Sequence, residues 1–135
     1  MQKLYKDDKL YHCFFNADDF TSSRVDVTPE EEYLQCAVMH MDDGKSFDPH
    51  VHIPCHRNTD TTQESWVVLK GRIRITYYDE DCQEMGSAVL TSGGCTISFI
   101  GGHKYECLED DTVVYEFKTG PYFGKDADKV VFTEE

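Results

Sequence analysis

Nine short runs of strand-forming residues, evenly spaced and cut by turn signals, constrain this chain more than any other feature. They fall at residues 11–15, 33–41, 51–53, 65–69, 73–78, 87–91, 96–100, 105–108 and 112–118. Asp79-Glu80-Asp81, Ser92-Gly93-Gly94, Gly101-Gly102 and Glu109-Asp110-Asp111 punctuate them. Val, Ile, Tyr, Phe and Thr dominate the runs, and such side chains fit a pleated, half-buried surface. Short strands at regular spacing must cover one another's apolar faces, which predicts a sandwich or barrel. Lys70-Gly71-Arg72, set between SWVVL and IRITYY, predicts a tight hairpin. Helical period is weak throughout. The best start signal is Thr28-Pro29-Glu30-Glu31, with Thr28 as cap and Pro29 at the first helical position.

The 135 residues suit one domain with one core, spanning 1–135 without repeat or linker. A formal charge of −13 repels phosphate backbones and anionic lipid, so neither nucleic acid nor a membrane surface is an expected partner. No run approaches the roughly 18 apolar residues of a membrane span. The opening MQKLYKDDKL has no apolar signal core. The six cysteines form no C-x-x-C pair and read as reduced, mostly buried thiols. A cytoplasmic protein is the expectation.

The histidines carry the chemistry. His50 and His52 lie two apart, so on a strand they project from one face. Glu64 shares its face with Trp66 and Val68, which read as core. It is therefore expected to point inward, where an unpaired carboxylate is costly. His103 follows Gly101-Gly102 on a later run. Together these four side chains suit one divalent transition metal; the plainer reading is polar residues on strand surfaces. His56 is a candidate general base or rim residue, and Arg57 a candidate contact for an anionic substrate. Trp66, Tyr77 and Tyr115 are candidate substrate contacts, or simply core. Cys55 reads as a thiol near the site; His12 and His40 read as structural.

The pattern resembles the cupin superfamily, in particular its small, single-domain bacterial metal-binding members. The first cupin motif, G-x5-H-x-H-x(3–4)-E-x6-G, is matched by Gly44, His50, His52, Glu64 and Gly71. The spacer from His52 to Glu64 is longer, IPCHRNTDTTQ. The second motif, G-x5-P-x-G-x2-H-x3-N, is matched by Gly93, Gly101 and His103. Phe99 stands in the proline's place, the gap before the histidine is one residue shorter, and Cys107 occupies the final Asn position. The motifs cover residues 44–107, roughly half the chain.

The resemblance implies a jelly-roll β-barrel of about nine to ten antiparallel strands. It implies one metal ion (Fe, Mn, Ni, Co or Zn) on His50, His52, Glu64 and His103. It also implies a homodimer, with residues 1–10 as an exchanged arm. The expected function is metal-dependent chemistry on a polar small molecule, either dioxygenase-type oxidation or metal-assisted isomerase or lyase chemistry. The alternatives are a metal-free sugar-nucleotide epimerase or ketoisomerase and a non-catalytic ligand-binding cupin.

Overall fold

The computed structural model describes residues 1–133. Its strands are β1 (Gln2–Lys6), β2 (Lys9–Phe15), β3 (Arg24–Asp26), β4 (Ala37–Met39), β5 (Glu64–Lys70), β6 (Arg72–Tyr78), β7 (Glu84–Thr91), β8 (Cys95–Ser98), β9 (Gly102–Cys107) and β10 (Val113–Lys118). Helical structure among the described residues is a 3-10 turn, Ala17–Asp19, and one helical turn, α1 (Lys125–Asp128). Among the described residues no helix is long and apolar enough to cross a membrane.

All strand pairs are antiparallel, and they divide among three sheets. The largest has the order β1-β2-β8-β5-β10; β7-β6-β9 form the second and β3-β4 the third. Side-chain alternation makes the five-stranded sheet the middle layer. On one face Cys13, Phe15, Cys95 and Ile97 pack with Val27 and, behind it, with Val25, Leu34, Cys36 and Val38 around β3-β4. On the other, Phe14 and Val68 pack with Ile73, Ile75, Tyr77 and Leu90 from the three-stranded sheet. This two-sided burial explains why 11–15 is buried at every position.

The expected hairpin at Gly71 is instead a corner between sheets. β5 pairs with β8 and β10, whereas β6 pairs with β7 and β9. Gly71 has φ +82°, and a Cβ there would sit 2.2 Å from Thr112 Oγ1 and 2.9 Å from Thr112 Cα. Only glycine allows both the left-handed turn and that close approach. Residues 28–31 form a turn rather than a helix start, because the Thr28 hydroxyl accepts the Cys36 N–H (2.9 Å).

Residues 1–10 hold a strand the expected arm did not include. β1 pairs along β2 of its own chain, and Lys6 bridges Asp79 (2.8 Å) and Asp81 (2.7 Å). The expected strand at 51–53 is absent. Residues 40–63 connect β4 to β5 without a strand, and Val51 and Ile53 are 89% and 87% exposed. Pro49 and Pro54 flank the stretch, and proline cannot donate to a strand ladder.

Candidate functional site

Glu64 opens β5 on the face it shares with Trp66 and Val68, turned toward the three-stranded sheet. It is 8% exposed. The ladder sets it opposite Ser98 on one side and Lys118 on the other. Across the interlayer space His103, opposite Tyr77 on β9, brings its Nε2 to 3.1 Å from Glu64 Oε1. Trp66 Nε1 donates to the same Oε1 (3.1 Å) and to Glu116 Oε2 (3.2 Å). The Trp66 indole stacks on Tyr105 at 3.7 Å. Burial alone would raise the Glu64 carboxyl. The His103 hydrogen bond and charge, with Lys118 and Lys129, outweigh it and hold the carboxyl below its ordinary range. The Tyr105 hydroxyl is buried without a hydrogen-bond partner. Its pKa is pushed up by burial first and by the Glu64 charge second.

Behind His103 runs a chain of polar groups whose direction can be deduced. His12, 0% exposed, places Nε2 at 3.0 Å from the Tyr78 carbonyl, which only accepts. Nε2 therefore carries the proton. Burial pushes His12 down to about 4, so the ring is neutral near pH 7 and its Nδ1 is an acceptor. The Ser98 hydroxyl, 3.0 Å away, must donate to it. Its oxygen is then left to accept from His103 Nδ1–H at 3.2 Å. With Nδ1 protonated, a neutral His103 would turn the Nε2 lone pair straight at a carboxylate oxygen. Two acceptors at 3.1 Å repel unless a proton or another cation lies between them.

The pair lies on the wall of a cavity of about 260 Å³ that also touches Gly101, Gly102, Lys129 and Phe132. The C-terminal segment closes one side. Lys118 Nζ reaches Asp128 Oδ2 (3.2 Å), and Phe132 packs edge-on to Tyr78. Larger depressions elsewhere, among them two of about 590 and 620 Å³, are lined by other residues and contain neither Glu64 nor His103.

The remaining sequence candidates lie elsewhere. His50 and His52 are neighbours, with ring centroids 5.4 Å apart, but on the exposed 40–63 segment. His50 Nδ1 donates to the Asp48 carbonyl (2.9 Å), leaving Nε2 open. His56 is exposed, and Arg57 bonds the Cys55 carbonyl (3.3 Å). Tyr77 is fully buried, its hydroxyl 2.8 Å from Thr96 Oγ1, and Tyr115 is exposed beside Phe117. Among the described residues no group of three or more His, Cys, Asp or Glu side chains converges as a metal site. The structure thus brings Glu64 and His103 together and leaves His50 and His52 as a separate pair.

Sequence reasoning missed Ser98, Tyr105 and the C-terminal segment, and read His12 as merely structural. One signal was present: a histidine inside the apolar run 10–15 is buried and must find polar partners.

Comparison with known proteins finds no matching family model, no matching curated protein and no matching solved structure.

Proposed function

We propose that this chain is a small cupin-type protein, a jelly-roll variant, that holds a divalent transition metal at Glu64 and His103 and acts on a polar small molecule. The observation that carries the reading is the 3.1 Å approach of His103 Nε2 to Glu64 Oε1, with the His103 ring oriented from behind by Ser98. Metal-binding histidines commonly donate their second ring N–H to a fixed partner, which aims the lone pair at the ion. Metal–ligand bonds of about 2.1 Å at right angles separate two donor atoms by about 3 Å.

His50 and His52 are the proposed complement, brought in from the 40–63 segment. When bound, such an ion supplies Lewis-acid polarisation of a substrate oxygen or, as Fe(II), oxygen chemistry. The chain's own contributions are distinct. Trp66 and the locked His103 fix the two donors, and the C-terminal segment screens them from bulk water. Lys129 on the cavity wall offers a positive charge to an anionic group. The cavity is below the roughly 300–1,000 Å³ of pockets for drug-sized ligands, which favours a small substrate.

A second reading rests on the same 3.1 Å contact between Glu64 and His103. Glu64 and His103 would then be a metal-free acid–base pair sharing one proton, as in epimerase or isomerase chemistry. Metal analysis separates the two. The metal reading expects about one divalent ion per chain in purified protein, lost on chelation and in H50A/H52A. Metal-free protein that takes up no added ion would leave the acid–base reading.

A further inference from the structure

Cys36 and Cys95 lie in a part of the molecule that the Glu64–His103 site does not use. Cys95 opens β8, the strand between β2 and β5, and is 5% exposed. Its Sγ lies 3.5 Å from Ser65 Oγ. Cys36 directly precedes β4 and packs against the core cluster that contains Cys95. Its backbone is pinned at both ends: its N–H donates to Thr28 Oγ1 (2.9 Å) and its carbonyl accepts from Val27 N–H (2.9 Å). Cys36, Cys95 and Ser65 together line an open cavity of about 330 Å³, so a small oxidant can reach both sulfurs.

We propose that Cys36 and Cys95 are a peroxide-responsive dithiol whose oxidation staples the β3-β4 layer to the five-stranded sheet. Both thiols line the same open cavity, so oxidation of one leaves the other at hand to resolve it. Their roles differ. Cys36 is half-buried and Cys95 buried, so Cys36 is the thiol that meets the oxidant first. Cys36 is the nucleophile and Cys95 the resolving thiol.

The Cys36 thiolate attacks one oxygen of hydrogen peroxide. The O–O bond breaks, a sulfenic acid forms, and the departing hydroxide takes a proton to become water. Cys95 sulfur then attacks the Cys36 sulfur. The S–S bond forms, the S–O bond breaks, and the hydroxyl leaves as water with the Cys95 proton. Two thiols lose two electrons and two protons to one peroxide, giving one disulfide and two waters. Cys13 is the nearest competitor, but it is 0% exposed and burial pushes its thiol up to about 12. Cys55, Cys82 and Cys107 are exposed free thiols.

The full-length protein treated with hydrogen peroxide, alkylated and mapped by peptide mass spectrometry tests the proposal. The expected product is a Cys36–Cys95 linkage, reversed by dithiothreitol, with Tm raised by roughly 5–10 °C in the oxidised form. C95S should stop at a sulfenic acid on Cys36 that a dimedone probe labels, and C36S should form no linkage. The wild-type map decides the matter even if a variant fails to fold. A Cys36–Cys13 linkage, or both Cys36 and Cys95 still alkylated after the other thiols have oxidised, would overturn it.

Discussion

Acid should find His12 first. The ring is wholly buried and bonded on both nitrogens, and its folded-state pKa is about 4 against 6.5 for the free side chain. Between those values the unfolded chain binds more protons than the folded one, so stability rises with pH across that window. The contribution is complete above pH 6.5 and lost as pH falls through 4. A difference of roughly two and a half pK units corresponds to about 3 kcal/mol. Structurally the cost has a clear origin: a second ring proton would face the donating Ser98 hydroxyl and break the chain that aligns His103. Urea unfolding at pH 7 and pH 4, for wild type and H12Q, isolates the effect, because other titrating groups cancel in the comparison. Wild type should lose about 3 kcal/mol more than H12Q on acidification. Equal losses, or a His12 ring resonance titrating near 6.5 in the folded protein, would refute the reasoning.

Two substitutions test the packing around the site. Gly101 has φ +84°, and a Cβ there would lie 2.3 Å from the Tyr78 carbonyl oxygen; G101A should therefore cost about 2–4 kcal/mol in denaturant unfolding. Y77F removes the 2.8 Å hydrogen bond to Thr96, which is itself buried, and should cost about 1–2 kcal/mol while leaving ligand binding at the Glu64–His103 cavity unaltered.

Much of the strand series was legible because alternation is a local property of the chain. Glu64 illustrates it: sharing a face with Trp66 and Val68 was enough to turn it inward, and the structure places it there beside His103. What alternation cannot carry is the identity of a partner strand. The same SWVVL-KGR-IRITYY pattern serves a hairpin or a corner, and Thr112, forty residues away, decides between them. β1 and β3 escaped because Lys3, Lys6, Arg24 and Asp26 dilute their apolar faces. The stretch 51–53 has strand-like residues but no neighbouring strand to pair with. His12 and Ser98 became informative only when β2 and β8 were seen side by side, since the direction of the proton chain depends on pairing across 86 residues.

The most direct test of the central claim, the proposal that the Glu64–His103 pair holds a cation, is a Co(II) titration of metal-free protein. Visible absorption would be read together with the His103 ring resonances. Saturable binding that perturbs His103 in wild type, and disappears in both E64Q and H103Q while their folds persist, is the predicted result. Binding that survives both substitutions, or no binding by the wild-type protein, would contradict it.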